Sequence, residues 1–259
     1  MLAAALPLAN RLLRAEHSGV ELSLVIYDLG GITRFGGADA FPPVVVADPV
    51  AVNARCYNPV SWDSYAWWGP DPCPIGFEAV RDAFAARHES ATRWWLRAIS
   101  THPIAYATHR LTHADRNLRL WVRDADLPTL SLDSDPNPWG FSVASTPLRR
   151  AVDTLAVASL ATPLGWPICW LAVAAACLLL RPQGLAAALA WSALLYALSY
   201  VPLSVASEVR YHFWTMTAAA LAAVLTLADR PTVARGRWVA AGALVAATTA
   251  VAIAGRLVA

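Results

Sequence analysis

Residues 154–180 contain no charged side chain, and this run constrains the fold more than any other feature of the chain. As a helix it is longer than the roughly 30 Å hydrocarbon core of a bilayer, and in water it has no polar face to turn outward. The pattern recurs. Residues 185–206, 211–228 and 238–254 are nearly as apolar, and only short polar turns separate them. From Ala151 onward the only acids are Asp153, Glu208 and Asp229, so residues 1–150 hold all the others. The expected fold is mainly α, a multi-pass α-helical membrane protein with about four C-terminal transmembrane helices, near 154–180, 185–206, 211–228 and 238–254. Ahead of them, residues 1–150 are expected to form an N-terminal α-rich, loop-containing water-facing domain.

Pro163 and Pro167 fall inside the first span, where a kink is expected and neighbouring helices in lipid satisfy the freed carbonyls. Ala218, Ala219, Ala222 and Ala223 make a small-residue face suited to close helix packing. Trp166, Trp170, Trp191 and Trp214 read as interfacial anchors or as packing residues, and Trp238, at a boundary, as an anchor. If the turns at Arg181 and at Arg230, Arg235 and Arg237 are cytoplasmic, the N-terminal half and Glu208-Val209-Arg210 face outward, while Arg149, Arg150 and Arg256 argue the other way. The outward orientation is the one expected, with an inner-membrane location and a periplasmic N-terminal domain.

All 20 basic residues are arginine, the net charge is only +2, and no block of like charge appears, so the footprint of a nucleic-acid binder is missing. Of the four cysteines, Cys169 and Cys177 sit in an apolar stretch, whereas Cys56 and Cys73, in the polar half, are either a disulfide pair or two small apolar residues. Their spacing is no zinc knuckle, and no metal site or cofactor is read from the sequence.

In the water-facing half, two amphipathic helices are expected near 76–100 and 103–122, with irregular loop before them and a short strand at Val44, Val45 and Val46. The aromatics between Cys56 and Pro70, Trp67 and Trp68 among them, must pack on helices, on lipid headgroups or on a sugar face. On the second helix His102, His109, Arg110, His113, Arg116 and Arg119 fall within a few turns. The i, i+4 pair His109/His113 shares a face as metal ligands would, but HRLTH lacks the glutamate of a zincin. A solvated face and a basic face toward lipid phosphate are the other readings. Residues 1–14 have no charged n-region and no cleavage site, and MLAAALPLA reads as the tail of an earlier span.

Four segments carry a resemblance: YDLGGITRFGGADAFP, CYNPVSWDSYAWWGPDPCPIGF, PIAYATHRLTHADRNLRLWV and SEVRYHFWTM. Together they resemble the C-terminal part of bacterial multi-pass membrane proteins similar to C-type, polyprenyl-phosphate-sugar-dependent glycosyltransferases. The resemblance implies a C-terminal fragment of a longer protein acting in cell-envelope glycan or lipid modification. Its partners would be the bilayer and a polyprenyl-phosphate-linked sugar, and its catalytic acid would lie on an outward loop. Asp28, after the apolar run LSLVIY, is the one candidate acid. Glu208, Arg210, Tyr211 and His212 form the candidate lipid-phosphate site, because an acid and a cation at a membrane boundary are costly unless solvated or paired. A non-catalytic membrane scaffold or assembly partner of an envelope complex is the alternative.

Overall fold

The structure, a computed structural model, describes residues 12, 19–68, 72–127, 138–229 and 231–258. The MLAAALPLA segment lies outside them. The described residues are helical apart from loops and one isolated bridge, and no strand forms at Val44–Val46, where a tight turn leaves Val45 exposed.

In the water-facing half α1 (Leu22–Gly36) is the central rod, and Leu22, Val25, Ile26, Leu29 and Ile32 give it a buried stripe at helical spacing. Around it lie α2 (Pro49–Cys56), α3 (Phe77–Arg87), α4 (Ala91–Thr101) and α5 (Pro103–Leu118), with Phe41, Trp62, Tyr65, Ile75, Phe77 and Val80 filling the shared core. Asp48 caps α2 by accepting the Ala51 amide at 3.0 Å, and Pro49 and Pro103 occupy first-turn positions where no amide hydrogen is needed. The helix expected at 76–100 is two helices. His88 takes a left-handed conformation (φ 52°) that ends α3, and the Ser90 hydroxyl accepts the Arg93 amide to start α4 in a new direction. A disulfide joins Cys56 to Cys73, with their Cα atoms 5.8 Å apart, and ties the aromatic loop to the end of α2.

The first expected span also divides. Thr146 caps α6 (Pro147–Leu160); the chain then extends through Thr162, makes a short turn over Pro163–Gly165, and restarts at Pro167 as α7 (Pro167–Leu180). Two prolines four residues apart each remove an amide donor, so no continuous helix passes through them. α7 has 14 residues, too few to cross the core by itself, and among the described residues three helices rather than four are long and apolar enough to do so. They are α8 (Gly184–Leu203), α9 (Phe213–Ala228, with its leading turn Val209–His212) and α10 (Arg235–Val258). This is the build of an integral membrane protein. Ala174, Cys177, Ala190, Ala193, Ala218, Ala219 and Ala222 bring α7, α8 and α9 into close contact, with small side chains setting the distance as they do between helices in lipid.

The helices alternate in direction. The Arg181–Asp229 ion pair marks one end of the bundle, while the 204–212 loop, Trp166 and Arg256 lie at the other, against the water-facing half. Trp166 is no surface anchor: it is buried, donates to the Leu160 carbonyl at 2.9 Å, and carries the Arg256 guanidinium over its ring.

Candidate functional site

Where α1 crosses α5 the domain buries an acid. Asp28 is 0% exposed. Gly30 and Gly31 permit the close approach, since a Cβ on Gly31 would overlap the His109 ring and one on Gly30 the Tyr65 hydroxyl. Asp28 Oδ1 lies 2.5 Å from Arg110 Nη2, a contact more Coulombic than aligned, and accepts His109 Nε2 at 3.1 Å; Oδ2 accepts the Trp95 indole at 2.7 Å. His109 Nδ1 accepts the Tyr57 hydroxyl at 2.8 Å. One turn on, His113 Nδ1 sits 2.8 Å from the Pro59 carbonyl oxygen and 2.9 Å from the Tyr27 hydroxyl. Asn53 closes the layer by donating to the Gly30 carbonyl at 2.9 Å and accepting the Tyr65 hydroxyl at 2.6 Å.

The electrostatics follow from enclosure. Burial pushes the Tyr27, Tyr57 and Tyr65 phenols up, so they act as hydrogen-bond donors and not as phenolates. Burial also lowers His109, against the opposing pull of Asp28, and takes His113 down to about 3 from 6.5. A folded pKa below the unfolded one means that the unfolded chain binds the proton first. The stability held by neutral His113 is therefore complete above pH 6.5 and is expected to fall as pH drops toward about 3, by about 1.4 kcal/mol per pH unit. Denaturation midpoints of wild type and His113→Gln between about pH 7.5 and 5 check this, the variant showing the shallower slope.

Arg110 reaches out of this layer. Its Nη1 donates at 2.6 Å to the carbonyl of Ser204, which caps the C-terminal, negative end of α8. Asn117, two turns further along α5, donates to Ser204 Oγ at 2.9 Å and to the Ala206 carbonyl at 3.0 Å, and its Oδ1 takes His212 Nε2. The aromatic loop joins in, as the Trp62 amide donates to the Val205 carbonyl at 2.9 Å and Ser61 bridges to Ala206. α5 is thus bonded on one flank to α1 and on the other to the loop between α8 and α9.

The candidate lipid-phosphate residues separate. Arg210 is exposed (71%), pairs with Glu208, and holds its guanidinium carbon 5.3 Å from the Tyr211 ring centroid, so these three form one surface cluster at the bundle's water-facing end. His212 is turned inward and spent on Asn117, which corrects its placement among them. Asp28, the one candidate acid, has partners on both oxygens and no open side toward a substrate, and in this position it braces α1 against α5. The i, i+4 pair His109/His113 faces tyrosines, and among the described residues no three His, Cys, Asp or Glu side chains converge on a metal position. Sequence reading missed Arg110 and Asn117 as the link to the membrane half; the nearest signal was the density of polar residues on a helix that needed only one solvated face. No family model, curated protein or solved structure matches the chain.

Proposed function

We propose that this chain is a glycosyltransferase-like protein of the bacterial inner membrane, with its water-facing half in the periplasm, acting in envelope glycan or lipid modification. The α8–α9 loop contacts the phosphate of a polyprenyl-phosphate-linked sugar through Arg210. The observation that carries this reading is the Arg210–Glu208–Tyr211 surface cluster, with Arg210 exposed, at the end of the apolar bundle that meets the water-facing half, held from behind by the Arg110–Ser204 and Asn117–His212 bonds. A guanidinium fixed at headgroup depth recognises phosphate by charge-assisted hydrogen bonds. Two facts support the orientation: the Cys56–Cys73 disulfide suits an oxidising compartment, and Arg181, Arg235 and Arg237 gather at the opposite end of the bundle.

Arg210→Ala is expected to weaken binding of a polyprenyl phosphate in nanodiscs by about tenfold, while Glu208→Gln leaves it unchanged or tighter, because Glu208 competes for the same guanidinium. Undiminished affinity in Arg210→Ala would favour a second reading, a non-catalytic scaffold or assembly partner. That reading rests on Trp67 and Trp68, both half exposed beside the disulfide, and on the enclosure of Asp28.

A further inference from the structure

Arg119 is a buried cation with no ion-pair partner among the described residues. It is 3% exposed, and it closes α5 in a left-handed conformation (φ 59°), as His88 closes α3. Its backbone is fixed from both sides: its amide donates to the Asp115 carbonyl, and its own carbonyl accepts Arg256 Nη1 at 3.2 Å. The side chain has no such partners. Nε is buried without a hydrogen bond, and among the described residues no carboxylate lies within ion-pair distance of the guanidinium. Asp124, the acid whose charge acts on it, is taken by Arg256 Nε at 3.1 Å.

Further unpartnered polar atoms surround it. Arg256 stacks 3.5 Å from the Trp166 ring centroid and spends Nε and Nη1 on Asp124, Ala252 and Arg119, which leaves Nη2 buried and free. His212 Nδ1, on the turn into α9, is buried and free as well, and the Arg119 charge acts on both Arg256 and His212. Burial and the neighbouring Arg256 bring Arg119 down to about 10, so it still carries its proton at neutral pH. Arg119 and Arg256 repel one another, and of the carboxylates that act on Arg256, Asp124 is half exposed and Asp115 is paired with Arg116, which leaves positive charge incompletely compensated where the end of α5 meets α10.

We infer that Arg119 and Arg256 form a binding site for a phosphate group at the junction of the water-facing helices and the bilayer. The donors suit a tetrahedral oxyanion, with the Arg119 Nε–H unpartnered and the remaining Nη2–H of Arg256 already aimed by Asp124 and Trp166. The phosphate comes either from a lipid headgroup or from solution. The site is separate from Arg210 and does not require sugar transfer.

The test uses the full chain in maltoside detergent, melted by its tryptophan fluorescence, with inorganic phosphate and short-chain phosphatidic acid as probes and sodium chloride at matched ionic strength as control. Wild type should gain about 4 °C or more at saturating probe, with no gain from chloride. A gain from phosphatidic acid alone assigns a headgroup, and a gain from both assigns the phosphate itself. Arg119→Gln should match or exceed the wild-type melting temperature without probe and show no gain with it, Arg119→Lys should keep part of the gain, and Arg210→Ala should respond as wild type does. No gain in wild type from either probe, or a full gain in Arg119→Gln, overturns the assignment. If Arg119→Gln does not fold, the wild-type titration and the Lys variant decide, a gain in Lys equal to wild type counting against it.

Discussion

Replacing Asp28 by alanine is expected to destabilise the protein by about 3–5 kcal/mol and lower its melting temperature by roughly 10 °C. The reason is less the loss of attraction than what remains: Arg110 is itself buried, and without Asp28 its charge faces the Ser204 carbonyl and the Tyr27 and Tyr106 rings but no carboxylate among the described residues. The His109 and Trp95 donors lose their acceptor in the same step. Thermal melts of Asp28→Ala, Arg110→Met and the pair Asp28→Leu with Arg110→Met check it. The double replacement should recover much of the loss, because an apolar pair of similar volume leaves no orphaned charge. An Asp28→Ala protein that melts like wild type but has lost sugar transfer would instead make Asp28 a reacting acid.

Removing the disulfide should cost nearly as much. Cys56 and Cys73 close a loop with a sequence separation of 17, and opening one of that length is expected to cost about 3 kcal/mol through the gain in unfolded-chain entropy. The loss should also reach the buried layer. Cys56 ends α2 beside Tyr57, the donor to His109, and the Cys56 carbonyl accepts the Ser64 hydroxyl at 2.5 Å. Cys56→Ser, Cys73→Ser and wild type in reductant should all melt about 6–12 °C below oxidised wild type. Equal melting with and without reductant would show that the bond contributes nothing to stability.

Both predictions concern residues that the sequence displays but does not explain. Asp28 was legible as an acid after an apolar run, and its position suggested chemistry. Only the crossing with α5, allowed by two adjacent glycines, shows that Arg110, His109 and Trp95 enclose it. The histidines of HRLTH share a face as their spacing requires, but that face turns toward Tyr27 and Tyr57 rather than a metal or solvent. In the candidate lipid site, Arg210 and Glu208 stay at the surface while His212, two residues on, points into the junction. A helical turn of such tight pitch sends residues two apart to different sides, and nothing local says which side will be covered.

What the linear pattern determined by itself is the partition into two solvents and the helical class. Runs of uncharged residues long enough for a bilayer, and stripes at helical period elsewhere, need no partner to be recognised, because both follow from the chain's own hydrogen bonding and hydropathy. Breaks were half legible: Pro163 and Pro167 announced a kink, and the structure makes it a full interruption, whereas the left-handed turn at His88 had no comparable marker. Tertiary structure alone decided the fate of the ionisable side chains. Asp28 and Arg110 neutralise each other 82 residues apart in sequence, Asn117 and His212 meet across the junction, and the Arg119 Nε is left without a partner among the described residues. The cost of burying a charge depends on which groups surround it in space, and that is set by how helices distant in sequence pack.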